Sequence, residues 1–282
     1  MNHLKKRKAA DGVLYGLMAV AAVAVGAALI GIIAYILLQS AGSIKLSIVF
    51  GPVGESLLPM IVSTTWTVVV SLALALPIGI MTAIYLQEYA HKSKISRALG
   101  LAIDTLAGIP SIVYGLFGLL FFCRALGLGQ SIIAGGLTLS IMILPVIIRT
   151  TEEALKTVPP SFREGSLSLG ATKIQTISHV VLPPALPGIL TAAILAAGRV
   201  VGESAPVLLT VGLARNLPKT IFEPGRTLTI HLYYLTKEAI APEDFAHAFA
   251  AAAVLIILVF IINTAVKVVG GSLSSGGGEN VD

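Results

Sequence analysis

Long apolar runs separated by short polar segments set the pattern of this chain. The first, Val13–Leu38, exceeds the roughly 20 residues a spanning helix needs and the roughly 7–15 of a signal-peptide core, so it predicts an uncleaved first span. Five further runs predict spans at Leu58–Leu86, Leu99–Cys123, Ser131–Ile148, Ala185–Ala205 and Ala246–Val269. Pro77 and Gly79 predict a kink in the second, which neighbouring helices can satisfy. Asp104 and Pro110 interrupt the third, and Gly108-Ile109-Pro110-Ser111 predicts local unwinding there. The expectation is an all-α membrane protein with six transmembrane helices.

The connections carry their own signals. Residues 39–57 suit a short external loop, and Arg124–Gln130 suits a tight turn. Residues 206–245 read as the longest external loop, holding an apolar piece, Val207–Val211, and an amphipathic helix around Thr229–Ile240. The tail, 270–282, is Gly/Ser-rich and reads as flexible. The chain therefore divides into 1–57 (cytoplasmic N-terminus, first span, external loop), 58–269 (transmembrane domain) and 270–282 (cytoplasmic tail).

Composition strengthens this reading. Of 282 residues, 56% are hydrophobic and only 12% charged, against about 25% charged in soluble domains. The single cysteine, Cys123, excludes an internal disulfide framework and a multi-cysteine metal site, and its apolar neighbours suggest a small buried hydrophobe. The histidines show no H-x-x-x-H spacing. The net charge of +5 is spread over several loops, which favours membrane topology and lipid contact over nucleic acid. Lys5, Lys6, Arg7, Lys8, Lys92, Lys94, Arg97, Lys156, Arg163 and Lys173 fall on one side of a six-span chain. The other side holds Lys45, Arg124, Arg215, Lys219, Arg226 and Lys237. The positive-inside rule then places both termini in the cytoplasm.

One polar stretch stands out, Glu164–Pro183, reading EGSLSLGATKIQTISHVVLP. Ser161-Phe162-Arg163-Glu164 and Thr172-Lys173-Ile174-Gln175 each have capping-box spacing, so a helix is expected to start at each. Gly170 between them suits a positive-φ helix end, and Pro183-Pro184 is expected to end the second helix. The plain alternative is an ordinary cytoplasmic loop, with His179 solvated or on its surface.

Charges inside the spans are costly and usually face an interior or a water path. Arg199 and Glu203 stand four apart in GRVVGESAP, on one helical face, with Arg199 roughly 22 Å past Pro184 along the helix. Gly198 and Gly202 make a G-x-x-x-G that would allow close helix approach. Either the two charges neutralise each other, or Arg199 attracts an anion and Glu203 limits how tightly it is held. Arg149, at an inner span end, is expected to snorkel to headgroups. Asp104 either partners an arginine or caps the helical segment after it. His231, Tyr233 and Tyr234 read as an interfacial belt. No G-x-x-x-x-G-K-[ST] occurs, so ATP-driven work would need another subunit.

Glu164, Gly170, Leu182 and Pro183 match the spacing of the EAA loop of ABC importer permeases, with Gly165, Ser166 and Val180 standing where Ala, Ala and Ile are usual. From Ile147 to Thr210, including GRVVGESAP, the chain resembles the PstA family of phosphate importer permeases, and the similarity extends over about 58–269. The resemblance implies a type I ABC importer permease fold. It implies that Glu164, Gly165, Ser166, Gly170, Leu182 and Pro183 couple to an ATPase, and that Arg149, Arg199 and Glu203 line a polar path. It also implies a sister permease (PstC), an ATPase dimer (PstB) and an external phosphate-binding protein (PstS), with ATP used by the ATPase and no cofactor in this chain. The competing class is an ion-coupled anion carrier or channel, which would use carboxylates such as Asp104 and Glu203.

Overall fold

Each long apolar run becomes helical in the computed structural model, which describes residues 2–42, 48–49, 51, 56–90, 93–240 and 242–275. Helix α1 is Asn2–Ser40, α2 Leu58–Ile84, α3 Lys94–Gly108, α4 Ser111–Gly118 and α5 Ile132–Lys156. The chain continues through α6 (Pro160–Ser168), α7 (Lys173–Thr176) and α8 (Leu182–Gly202). It ends with α9 (Ala205–Thr210), α10 (Leu228–Glu238) and α11 (Pro242–Ser275). Wide π turns at Tyr85–Tyr89 and Leu119–Ala125 extend α2 and α4, and one at Ile177–Val181 joins α7 to α8. The described residues contain no strand. Five helices are long and apolar enough to cross a membrane, or six if the bent pair α3–α4 counts as one span.

That third span is not straight. Its halves, 94–108 and 111–125, meet at 98°. Pro110 disfavours helical backbone in the residue before it, and Ile109 is accordingly extended (φ −72°, ψ 131°). The Tyr114 hydroxyl donates to the Leu106 carbonyl at 2.7 Å across the bend and fixes the elbow.

The core forms where α2 packs along α5 and α5 along α8. Val68 and Leu72 of α2, Leu139 and Ile143 of α5, and Ala197 and Val201 of α8 meet in one buried cluster. The apolar piece 207–211 belongs to this cluster rather than to an external surface: Val207 is 1% exposed and Val211 fully buried. Gly115 makes this possible, because a Cβ there would sit 2.8 Å from the Pro206 Cα. Short α9 therefore re-enters the bundle and packs on α4.

At the periphery α1 stays exposed along its apolar length, and it touches the bundle where Tyr35 meets Phe249 edge-on at 5.7 Å. Helix α11 runs through Gly270 to Ser275, so the expected tail begins as helix; residues 276–282 lie outside the described residues. The expected charges at Lys45, His91 and Lys92 also lie outside them. The amphipathic helix expected around Thr229–Ile240 is α10.

Candidate coupling loop and polar path

The polar stretch folds as helix, glycine turn, helix. Helix α6 begins at Pro160, one residue before the expected Ser161 cap; its N-cap is Pro159, with no side-chain capping bond. Proline at the first helical position has the right φ and no N–H to satisfy, and this displaces the Ser161 box. The end is as expected: Gly170 has φ +86°, Gly170 N donates to Leu167 O, and Ala171 N donates to Ser166 O. The second box forms fully, with the Thr172 hydroxyl accepting from Gln175 N and the Gln175 side chain accepting from Thr172 N. Ser166, where alanine is usual, shares a 2.9 Å hydrogen bond with the Thr176 hydroxyl and so links the two loop helices.

Pro183 and Pro184 do not end the helix. Lys173–Gly202 is one continuous helical run. The π turn at Ile177–Val181 shifts the hydrogen-bond ladder just before them, with Leu182 N reaching Ile177 O, so the missing proline donors are absorbed.

The intramembrane charges have different surroundings. Arg149 does not extend to headgroups. Its Nε and Nη2 donate to Asp104 Oδ1 at 3.0 and 2.6 Å, its Nη1 to Glu152 Oε2 at 2.8 Å, and its Nη2 also to Gly100 O at 3.0 Å. It thereby clamps α3 to α5, and Asp104 is its partner. Arg199 sits in the last turn of α8, while Glu203 stands one residue past the helix end in extended backbone (φ −76°, ψ 135°). The two are therefore not on one helical face. Their closest approach, Arg199 Nε to Glu203 Oε1, is a loose 3.7 Å. Gly198 and Gly202 have open space beside them, so no helix among the described residues packs on the G-x-x-x-G.

Residues 75–274 match the family described as binding-protein-dependent transport system inner membrane component. The chain belongs to this family. The permease is 32% identical to a probable ABC transporter permease protein YqgI of Bacillus subtilis, over 94% of this chain and 96% of that one. It is 41% identical to the phosphate transport system permease protein PstA 1 of Mycobacterium tuberculosis, over 71% of this chain and 66% of that one. It is 42% identical to PstA of Mycobacterium leprae, over 69% and 64%. A solved MetNI methionine ABC transporter chain superposes with a TM-score of 0.57 at 21% identity, covering 78% of the permease and 94% of that chain. The fold is that of ABC importer permeases.

Contacts that the sequence did not signal hold the permease's loop to the bundle. Arg163 Nη2 and Nε donate to Glu88 Oε1 at 2.7 and 3.0 Å. Arg163 also caps the end of α5, donating to Leu155 O at 3.0 Å and Val158 O at 2.7 Å. Lys173 Nζ lies 4.5 Å from the Tyr89 ring centroid. The π turn that ends α2 thus grips both loop helices. In the sequence Arg163 and Lys173 read as topology charges, and Glu88, an acid at the end of the second apolar run, is the available hint of a partner. By contrast, Glu164 is exposed, as are Leu169 (91%) and Ile174 (70%) on the outer face of the loop.

At the opposite end, Thr229 donates to the carbonyls of Val201 and Glu203 and ties α10 to the open end of α8. His231, expected in an interfacial belt, has its Nδ1 buried without a partner. Burial first, then Arg226 and Arg215, push its pKa down to about 4. Among the described residues no group of three His, Cys, Asp or Glu is arranged to hold a metal.

Proposed function

We propose that this chain is the permease subunit of an ATP-driven importer that carries inorganic phosphate across the cytoplasmic membrane. A separate ATPase would dock on the α6–α7 loop. The phosphate substrate is inferred from the relatives named as phosphate transport permeases. The observation that carries the mechanism is the clasped loop: its inner face is fixed to α2 through Arg163 and Glu88, while Glu164, Leu169 and Ile174 are left exposed to a partner. The roles proposed for Glu164, Gly165, Ser166, Gly170, Leu182 and Pro183 follow from this. Gly165 has open space around it, Ser166 and Gly170 shape the turn, and Leu182 packs inward beside buried Val181. ATP belongs to the ATPase dimer, and the pore is shared with a sister permease fed by an external phosphate-binding protein. The loop and both termini would then be cytoplasmic.

Arg199 is the better candidate for contact with the passing anion. Among the described residues its one ion pair is long, so its donor fork is free to take an oxyanion bidentately, with Glu203 near enough to weaken retention. Arg149 has every donor nitrogen engaged, so in the proposed path it shapes the wall near Asp104. An ion-coupled carrier would need unpaired carboxylates in its path, whereas Asp104 is ion-paired with Arg149 at 2.6 Å. The test is uptake in vesicles holding the assembled importer. Gly170→Pro forces φ near −65° where +86° is needed, and Glu164→Lys reverses an exposed charge; both should abolish ATP-dependent phosphate uptake while membrane insertion persists. Normal uptake with both variants would overturn the docking role.

A further inference from the structure

Arg226 presents a charge that the chain leaves unanswered. It is 4% exposed, its Nε has no partner, and it makes no ion pair among the described residues. The Tyr234 ring lies 4.7 Å from its guanidinium carbon. A cation over a ring recovers less than a buried guanidinium loses on leaving water. One helical turn into α10, His231 holds its Nδ1 buried and equally unpartnered. Helix α10 also opens with no acidic residue in its first turn and no side-chain cap at Thr227. Arg215 adds a further positive charge, acting on both Arg226 and His231. The one acid acting on Arg226 is Glu238, in the last residue of α10.

We propose that Arg226, His231 and the start of α10 form a binding site for a phosphate oxyanion, separate from Arg199 and at the end of the bundle away from the coupling loop. The planar fork of Arg226 matches two phosphate oxygens, His231 in its Nδ1–H tautomer would supply a further donor, and the positive helix end favours the negative charge. Its place follows from α2. Leu228 N donates to the Thr64 hydroxyl near the start of α2, while Glu88 at the far end of α2 holds the loop. With the loop in the cytoplasm the site faces outward, so it is a waiting position for substrate or a seat for a lipid headgroup. Calling the ligand phosphate rests on the phosphate-importer reading; the need for an oxyanion rests on Arg226 itself.

The experiment is an NMR titration of the five histidine rings in the full chain, in phospholipid-free maltoside micelles, with His231 assigned through His231→Gln. Inorganic phosphate should move the His231 resonances saturably. Arg226→Gln should weaken the midpoint roughly tenfold or more, Arg226→Lys less, and Arg199→Gln should leave it unchanged. Movement with phosphatidylglycerol but not with inorganic phosphate identifies the ligand as a headgroup and keeps the site. The proposal fails if neither ligand moves His231. It also fails if the midpoint is indifferent to Arg226, or if the ring responds only when the sister permease is bound. The wild-type titration needs no substitution to fold. The importer reading stands or falls separately, on ATP-dependent uptake, so a responding His231 in a chain that imports nothing would spare the site alone.

Discussion

Removing the Arg163–Glu88 clasp should separate the coupling loop from the bundle. Both side chains are withdrawn from water, at 19% and 8% exposure, and Arg163 donates five hydrogen bonds, three to the Glu88 carboxylate and one each to the Val158 and Leu155 carbonyls. Arg163→Ala would leave the Glu88 carboxylate buried without a counter-charge and the Val158 carbonyl without this donor, while Leu155 O would keep only the long 3.4 Å bond from Val158 N. Breaking a buried pair from one side costs about 3–5 kcal/mol. Glu88→Gln keeps the arginine's carbonyl bonds and a neutral acceptor, so its cost should be nearer 1–3 kcal/mol. Lys156–Glu153 is the internal control. It has a similar short contact, 2.6 Å, but its side chains are 50% and 71% exposed, and such pairs are worth no more than about 1 kcal/mol.

Two readouts distinguish a clasp from a mere surface pair. Hydrogen exchange should show the amides of 160–181 opening in Arg163→Ala while those of the α2–α5 core stay protected. In the reconstituted importer, ATP hydrolysis should continue with phosphate uptake lost, because the ATPase still finds the exposed loop face but moves it without moving α2. If Arg163→Ala behaves like Lys156→Ala in both exchange and uptake, the clasp is not what joins the loop to the bundle, and the argument from burial is wrong.

Two further outcomes rest on the charges. Arg199→Gln should cut phosphate flux per molecule at least tenfold with little change in expression, whereas Arg149→Gln should first lower thermal stability, since it strips Asp104 and Glu152; equal behaviour of the two would refute the division of roles. Because the His231 pKa is held near 4 in the fold and about 6.5 when unfolded, the unfolded chain binds more protons between those values. Stability contributed by the neutral ring is complete above about pH 6.5 and is lost as pH falls toward 4, at up to about 1.4 kcal/mol per pH unit. His231→Gln should flatten that part of a melting-temperature profile, with Arg226 and Arg215 unchanged, and an identical slope in the variant would refute it.

The long elements were legible because a bilayer leaves few ways to satisfy a backbone; apolar runs of about 20 residues must be helices. The loop was legible for a different reason: Gly170 and the Thr172–Gln175 box are local chemistry that needs no partner elsewhere in the chain. What the sequence hid was tertiary. The re-entry of 205–210 depends on Gly115, ninety residues away, admitting Pro206. The fate of Arg149 depends on Asp104 arriving from another helix. Spacing alone put Arg199 and Glu203 on one face, and the break after Gly202 undid it, since four residues mean one face only while the helix lasts.

The continuity of 173–202 bears on how work done at the loop reaches the anion. Had Pro183-Pro184 ended the helix, the loop would hang from the bundle by extended chain, and a displacement at Lys173 would dissipate there. Instead the same helical run carries the loop at one end and Arg199 at the other, roughly 40 Å apart at about 1.5 Å per residue. The π turn at Ile177–Val181, followed by Pro183, Pro184 and Pro187, concentrates whatever bending occurs into one known segment beside the loop. Beyond it, α8 is packed against α5, α11 and α2, with Ala192, Ala193, Ala196 and Ala197 all 5% exposed or less. A push on the loop should therefore arrive at Arg199 as a shift or rotation of a stiff rod. Helix α2, gripped by the loop at Glu88 and Tyr89 and bonded to α10 through Thr64, provides a second rod of the same kind. In the proposed mechanism, two rods leaving one loop for two arginine-bearing sites would couple an ATPase docked on the loop to an anion at the other end of the bundle.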